Sequence, residues 1–238
     1  MRVPKVAPRL IPPTSPKHCD LESFLQHAEQ TALDSKSAVY KGTHFEYTVA
    51  KTLSSYGIAL SRTGRSNDLG IDLMGLWTLP GKGRRKKQVL PVIVQCKAFS
   101  RKPTPSLVRE LEGAYAGAPA GWRSGNALAL LITRRESTKG VRAAIQRSRW
   151  PMGLLQITST GELKQVQWNV MAAEAGLEGL GATVVYTDST HASAPLGEDG
   201  KASQTPMWSV GLTWLGRWLG GEKNGLKATG LEVETPRV

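Results

Sequence analysis

The chain has 238 residues, of which 40% are hydrophobic, and this supplies a substantial single core. Its formal charge of +12 at pH 7 favours a nucleic-acid partner, although an anionic membrane surface or a basic tail would give the same balance. Two cysteines argue against a disulfide scaffold, no Cys/His spacing supports a zinc site, and no stretch approaches the roughly 20 apolar residues that span a bilayer.

The first nineteen residues are basic and rich in proline. They carry four basic residues and no acidic one, which is typical of a mitochondrial presequence, whereas their five prolines oppose the amphipathic helix that such a signal forms. We interpret residues 1–19 as a segment that can serve in targeting, ahead of an α/β domain at residues 20–187.

Two helices are predicted at the start of this domain. The first, at residues 20–28, is expected to pack as an outer brace. The second carries Phe45, Val49 and Leu53 at helical spacing, which indicates a buried stripe. Glu46 lies beside that stripe, so a helix packed on a sheet would bring its carboxylate towards the strands that follow.

Strands are predicted near residues 58–62, 71–79 and 89–96, and the hairpin between the last two makes them antiparallel. That hairpin carries a basic run, which would track a phosphate backbone; a solvated turn or a nuclear-localisation-like patch is the alternative interpretation. We assign DNA contact to the basic residues of this run and its neighbourhood, namely Arg65, Lys82, Arg84, Arg85, Lys86, Lys87 and Lys102.

The two strands of this hairpin carry the residues with the strongest chemical signal. Asp72 lies on the first strand, and Gln95 and Lys97 lie on the second. Because side chains alternate along a strand, Gln95 and Lys97 point to one face and Cys96 points to the other. If the strands pair as neighbours, Asp72, Gln95 and Lys97 converge on one patch.

Such a patch suits phosphodiester cleavage, which needs a hard cation held by oxygen ligands, a nucleophilic water and nearby positive charge. Asp72 can bind the cation, and Lys97 can orient water or neutralise charge. Gln95 is the weakest member because a neutral amide binds a divalent cation less well than a carboxylate. Glu46 is therefore the candidate for a second acidic ligand.

Each of these residues also has an ordinary structural interpretation. Asp72 can be a carboxylate at a hairpin start, Glu46 a surface helix residue, and Lys97 an edge lysine whose stem lies along the surface. Cys96 is most simply a small core residue.

A third helix is predicted after the second strand of the hairpin. Thr104 can cap it and Pro105 is tolerated at its first position. Arg109, Glu110 and Glu112 are expected on its solvated face.

The next elements predict a crossover between parallel strands. Residues 127–133 form a continuous apolar run, as expected for a strand covered on both faces. Ser137 or Thr138 can cap a helix that ends near Ser148, and a strand near residues 154–158 would return parallel to the first. The result is an α/β core, a sheet with helices on its faces.

The rest of the chain gives weaker patterns. Among seven tryptophans, Trp150 is the candidate for stacking on a nucleic-acid base, although burial is the ordinary use of the residue. We further predict a hairpin around residues 161–162, a helix at 170–177, a strand near 183–186, a flexible insertion at 188–206, a strand at 207–219 that completes the domain, and a disordered tail at 220–238.

The order of these motifs resembles a known enzyme superfamily. A helical Glu46, then Gly70-Ile71-Asp72, then Gln95-Cys96-Lys97 followed by a helix is similar to the Mrr-like branch of the PD-(D/E)xK restriction-endonuclease superfamily. From about residue 20 to about residue 219 the chain also resembles the fungal mitochondrial family called required for respiratory growth protein 7. The segments that carry this likeness are residues 107–115, 148–153, 176–181 and 212–214.

The resemblance implies a restriction-endonuclease-like three-layer core, with a mixed central sheet flanked by helices. It implies Asp72 as principal metal ligand, Gln95 in place of the usual acidic residue, and Lys97 as catalytic lysine. Glu46 matches the helical acid of many relatives. Together Asp72 and Glu46 would hold Mg²⁺ or Mn²⁺, with Gln95 or the backbone carbonyl of Cys96 completing the site.

The function implied is a metal-dependent DNA endonuclease, or DNA-processing enzyme, of the mitochondrial matrix. It would hydrolyse phosphodiester bonds and support genome maintenance and respiratory growth. The alternative is a DNA-binding adaptor that keeps the nuclease fold without cleavage, which the neutral Gln95 favours. A homodimer that cuts both strands is left open.

Overall fold

A computed structural model describes residues 17–63, 70–81, 87–119, 122, 127–187 and 207–220. Within these ranges the chain has the expected α/β architecture, a mixed six-stranded sheet flanked by helices. No helix among them is long and apolar enough to cross a membrane. Residues 1–16 of the predicted segment at 1–19, the predicted insertion at 188–206 and the predicted tail beyond Gly220 lie outside the described residues.

The described helices are α1 Leu21–Gln30, α2 Ala38–Ser54, α3 Ser106–Gly117, α4 Lys139–Arg147 and α5 Val170–Ala172, and a π-helical turn at Ala173–Leu177 continues the last. The strands are β1 Ile58–Arg62, β2 Leu73–Leu79, β3 Gln88–Lys97, β4 Leu128–Thr133, β5 Met152–Ile157, β6 Leu163–Trp168, β7 Leu180–Thr187, β8 Met207–Trp214 and β9 Arg217–Gly220.

The large sheet has the order β1-β2-β3-β4-β5-β6. Its first three strands are antiparallel neighbours, so the predicted hairpin of β2 and β3 is confirmed. β4 runs parallel to both β3 and β5, which confirms the crossover through α4. β6 returns antiparallel to β5.

Two apolar layers cover the faces of this sheet. On one face, Phe45, Val49 and Leu53 of α2 are at most 3% exposed, so the predicted stripe is confirmed. On the other face, α3 and α4 bury residues such as Leu111 and Ile145. Every residue of β4 is buried, as its continuous apolar run predicts.

The helix starts agree only partly with their predicted caps. Thr138 caps α4 by accepting from the backbone N–H of Val141. In α3, by contrast, Pro105 occupies the cap position, and its side chain has no oxygen that could accept a cap hydrogen bond. The hydroxyl of Thr104, the expected cap, is paired with that of Ser106 at 2.7 Å.

A second, three-stranded sheet has the order β7-β8-β9. The single strand expected at 207–219 is therefore wrong: the chain turns at Leu215 and Gly216, which have φ of 50° and 77°, and returns antiparallel as β9. Gly220, expected in the tail, ends this strand. Leu212 is buried in the same apolar layer as α2 and so attaches this sheet to the large one.

β1 and β2 approach each other closely at Gly75. A Cβ atom on Gly75 would lie 1.8 Å from the carbonyl oxygen of Ala59. No side chain fits there without separating two paired strands.

Asn169, before α5, is a buried polar junction with 1% of its surface exposed. Its amide nitrogen donates to three carbonyl oxygens, and its Oδ1 accepts from two backbone N–H groups. The carbonyls are those of Ile145 at 3.2 Å, Ser148 at 3.1 Å and Trp150 at 2.8 Å, and the N–H groups are those of Met152 at 3.1 Å and Ala172 at 2.9 Å.

Candidate active site

Asp72 lies directly before β2 and is held against β3. Its backbone N–H donates to the carbonyl oxygen of Val94 at 2.9 Å, and its Oδ2 accepts from the N–H of Cys96 at 2.6 Å. The carboxylate thus takes the position of the next backbone partner in the β2–β3 ladder. This contact brings the Asp72 carboxylate to the backbone of Cys96, whereas the convergence of its side chain with those of Gln95 and Lys97 stays a prediction.

The backbone of β3 presents a further oxygen to the same gap. The amide and carbonyl of one strand residue point to the same side, and the N–H of Cys96 points to Asp72. The carbonyl of Lys97, in contrast, accepts from Arg134 on the β4 side at 3.3 Å. The Cys96 carbonyl is therefore directed towards the edge where the Asp72 carboxylate lies.

Gln95 is buried on the α3 side of the sheet, with 4% of its surface exposed. Its Oε1 accepts no hydrogen bond from any residue that the structure describes. The chain reaches Asp72 through Gly70, whose φ is 82° and whose Cβ would lie 3.2 Å from Gln95 Nε2. A buried acceptor without a donor requires another partner, and a cation or a water molecule would supply one.

Lys97 lies two residues farther along the same face and makes an ion pair with α3. Its Nζ donates to Oε2 of Glu110 at 3.2 Å, and the two side chains are 25% and 49% exposed. An exposed pair of this kind contributes little stability, about 0–1 kcal/mol, so an anionic ligand can compete for the ammonium group. Sequence reasoning gave Glu110 a solvated role and missed this contact.

Glu46 lies on the α2 side of the sheet, and its carboxylate accepts from Nε of Arg62 at the end of β1. Arg62 also donates to Thr43 Oγ1 at 3.3 Å and lies 5.9 Å from the ring centre of Tyr47. Burial opposes the charge of Arg62, but the hydrogen bond and charge of Glu46 outweigh it and raise the pKa of Arg62. The carboxylate expected to approach Asp72 thus has Arg62 as a partner.

The charges of Asp72 and Glu46 both affect the thiol of Cys96. Its side chain packs against the α2 layer, on the opposite face from Gln95 and Lys97. Burial raises the pKa of the Cys96 thiol well above its ordinary value, and the charges of Asp72 and Glu46 raise it further, against the opposing effect of Lys97. Both carboxylates therefore act on the same end of β3, from the sheet edge and from the α2 face.

This arrangement limits the kind of metal site that the residues could form. Among the described residues, no group of three or more His, Cys, Asp and Glu side chains is placed to hold a metal ion. Asp72 and Glu46 are two carboxylates, so a site here also needs the Gln95 amide oxygen or the Cys96 carbonyl. Oxygen donors of these types suit Mg²⁺ and Mn²⁺.

The expected DNA-contacting residues are only partly described. Lys87, which precedes β3, and Lys102, between β3 and α3, are exposed. The others, Arg65, Lys82, Arg84, Arg85 and Lys86, lie outside the described residues.

Comparison with known proteins identifies relatives of this chain. The family profile described as "Required for respiratory growth protein 7" matches residues 37–88 and 81–186. A Schizosaccharomyces pombe protein named "Uncharacterized protein C824.03c, mitochondrial" is 30% identical over 65% of this chain and 61% of its own length. No solved structure matches the chain.

Two proteins named "Required for respiratory growth protein 7, mitochondrial" are also similar. The one from Vanderwaltozyma polyspora is 34% identical over 34% of this chain and 47% of its own length, and the one from Candida glabrata is 32% identical over 39% and 51%. The chain thus spans about half to three fifths of these relatives. Because the relatives are named mitochondrial, the expected mitochondrial localisation is confirmed.

Proposed function

This chain belongs to the required for respiratory growth protein 7 family, and from that premise we propose that it is a metal-dependent DNA nuclease of the mitochondrial matrix. It would process mitochondrial DNA and thereby support genome maintenance and respiratory growth. The observation that carries the proposal is the end of β3, where the Asp72 carboxylate accepts from the N–H of Cys96 and the neighbouring Gln95 Oε1 is buried without a donor among the described residues.

The architecture supports a restriction-endonuclease-like core of the PD-(D/E)xK type. Such a core would need a mixed sheet between helical layers and an acidic residue next to a strand that ends in Gln-x-Lys or Glu-x-Lys. The sheet here lies between α2 on one face and α3 with α4 on the other. Asp72 stands before β2, and Gln95 and Lys97 end the adjacent β3.

In this proposal each residue has a defined role. When bound, Mg²⁺ would supply a Lewis acid at the phosphate and lower the pKa of the attacking water. Asp72, the Cys96 carbonyl and Gln95 Oε1 are the proposed oxygen ligands, and Glu46 would contribute directly or through water while sharing its charge with Arg62. The Lys97 ammonium would leave Glu110 for the scissile phosphate and stabilise the charge that develops there.

Cleavage assays on the full chain test this proposal. Purified protein is incubated with supercoiled, single-stranded and branched DNA in Mg²⁺ or Mn²⁺. We expect Lys97→Ala and Asp72→Asn to lower the cleavage rate by about 10²–10³-fold, the usual loss when a charge-stabilising group is removed. Lys139→Ala removes an equal charge from an exposed position and should cut normally. Wild-type cleavage no faster than that of Lys97→Ala refutes the nuclease.

Metal binding gives a second test that does not depend on activity. Calorimetric titration with Mg²⁺, and with Ca²⁺ as a non-catalytic probe, should show uptake by the wild type that Asp72→Asn loses. Uptake that is equal in both proteins would remove Asp72 from the site.

A DNA-binding adaptor without cleavage is the second candidate. The ion pair of Glu46 with Arg62 and the neutral Gln95 favour it, because both reduce the negative charge available to a cation. On this alternative, Asp72→Asn leaves DNA affinity unchanged and no divalent-dependent product appears. DNA binding that does not weaken as salt rises would contradict both candidates, since phosphate contacts release counterions.

A homodimer would allow the proposed nuclease to cut both strands of a duplex. Analytical ultracentrifugation tests this, and a monomer at all concentrations would contradict it.

A further inference from the structure

A shallow groove lies between α3 and the end of α4, on the face of the sheet that carries Lys97. We call it the α3/α4 groove. It has a volume of about 580 Å³ and is lined by Glu112, Gly113, Ala116, Arg147, Arg149 and Trp150.

Two arginine side chains give the α3/α4 groove a positive charge. Arg147 and Arg149 are exposed, and neither makes an ion pair or side-chain hydrogen bond with any residue that the structure describes. The acidic residue in the lining, Glu112, was expected to be solvated but is half-buried, and its Oε1 accepts from the hydroxyl of Ser148 at 2.6 Å. Within the part of the chain that the structure describes, two guanidinium groups are thus available to an anion, and their planar forks match the oxygens of a phosphate.

An aromatic side chain lies beside these two cations. Trp150 is partly exposed, and its ring packs against that of the buried Tyr115, with 4.8 Å between the ring centroids. The carbonyl of Trp150 is held by Asn169 at 2.8 Å, which fixes the backbone that carries the indole. A supported indole next to free guanidiniums is the combination on which single-stranded nucleic acid stacks its bases while its phosphates are neutralised.

The position of the groove relative to Lys97 follows from α3. Glu110, the partner of Lys97, and Gly113, in the groove, are three residues apart, which is about 4.5 Å along the helix axis. Along α3, the groove thus begins less than one helical turn from the ion pair of Lys97 with Glu110.

We propose that the α3/α4 groove binds a single strand of nucleic acid, with Arg147 and Arg149 on its phosphates and Trp150 against an unpaired base. A duplex keeps its bases stacked on one another and offers none to the indole. The direction of the strand towards Lys97 rests on the proposed nuclease function, whereas binding in the groove does not require cleavage.

Gly113 offers a sharp way to test this proposal. A Cβ atom at Gly113 would meet nothing within 4 Å, so Gly113→Ala leaves the groove open and favours the helix. Gly113→Glu places a carboxylate beside the two arginines. Fluorescence anisotropy with a labelled single-stranded oligonucleotide in EDTA should show a clear loss of affinity for Gly113→Glu and a much smaller change for Gly113→Ala, which adds no charge. Equal changes in the two variants would contradict the proposed binding of phosphates by the two arginines.

The arginines are tested through the salt dependence of the same binding. For the double variant Arg147→Gln/Arg149→Gln, the slope of log affinity against log salt should be smaller by about 1.4, the value for two single-strand phosphate contacts. The matched control Lys36→Gln/Lys139→Gln also removes two exposed charges and should leave the slope unchanged. Circular dichroism checks that every variant is folded.

Three outcomes would overturn the proposal: no oligonucleotide binding by the wild type, equal affinity and slope in all variants, or an equal loss in the lysine control. Anionic lipid vesicles are tested as a second ligand; if the arginine variant loses vesicle binding but keeps its oligonucleotide affinity, the groove binds a membrane surface and the proposal is also overturned. Equal effects of the variants on duplex and single strand would reject the single-strand preference. If the groove variants lose affinity and slope as expected but no cleavage depends on Lys97, the proposed nuclease function is refuted and the binding groove is retained. If the arginine variant keeps both its cleavage rate and its oligonucleotide affinity, nucleic-acid binding in the groove is refuted and the nuclease function is retained.

Discussion

Replacing Asn169 by alanine should strongly destabilise the protein. The side chain contacts five backbone groups at hydrogen-bonding distance, with its two amide protons shared among three carbonyls, and is 1% exposed. A typical hydrogen bond contributes about 0.5–1.5 kcal/mol net, and loss of a helix N-cap costs about 0.5–2 kcal/mol. Because some of the freed carbonyls and N–H groups will bind water, we expect a loss of about 3–5 kcal/mol in the free energy of unfolding.

Equilibrium urea denaturation, monitored by tryptophan fluorescence, measures this loss. Gln167→Ala is the matched control, because Gln167 is only partly buried and donates once, at 3.5 Å to the carbonyl of Arg142. Its effect should stay within about 0.5 kcal/mol, as for ordinary surface substitutions. Asn169→Asp keeps the acceptor but turns a carboxylate towards three carbonyls, so it should also be severe. A loss below about 1 kcal/mol for Asn169→Ala would refute the accounting of these contacts.

Two further predictions follow from shifted pKa values. In a Cys19→Ser chain kept in EDTA, alkylation of Cys96 should be slow, because burial and the charge of Asp72 raise the pKa of its thiol well above the ordinary value. Asp72→Asn should speed alkylation at the same pH, and an unchanged rate would contradict an effect of the Asp72 charge on the thiol. Burial and the charge of Arg62 lower the pKa of His18 below 6.5, so the folded state binds this proton less tightly than the unfolded state. The stabilising effect of neutral His18 is therefore complete above pH 6.5 and is lost as pH falls through the lowered pKa. The melting temperature of the His18→Gln variant should fall less on acidification than that of the wild type, and an identical fall in both proteins would contradict this role of His18.

The periodic elements were predictable because their patterns are local. The spacing of Phe45, Val49 and Leu53 and the apolar run of β4 each report which side of an element is buried. The turn at Leu215 and Gly216 was not predictable in the same way. A two-residue hairpin with positive φ at both positions usually contains Asn-Gly or Asp-Gly, and leucine gives no such signal.

The partners of the candidate site residues depend on tertiary placement that periodicity does not contain. The alternation of β3 predicts that Gln95 and Lys97 share a face, but only the packing of α3 brings Glu110 to Lys97. Likewise, the helical stripe locates Glu46 beside the core, whereas the register of β1 decides that Arg62 reaches it. A glutamate beside the buried stripe of a predicted helix and an arginine at the end of a predicted strand are the signals that could have suggested the second contact.

The close approach of Gly75 to the backbone of Ala59 affects how genetic data on this protein would be interpreted. Even a methyl group there would collide with the main chain of Ala59, so substitutions should reduce the amount of folded protein. Gly75 stands three positions from Asp72, and under the proposed function both sites would give the same phenotype in a screen for loss of respiratory growth. Steady-state abundance in mitochondrial extracts would separate them, since a defect in chemistry leaves the protein level normal and a defect at Gly75 does not.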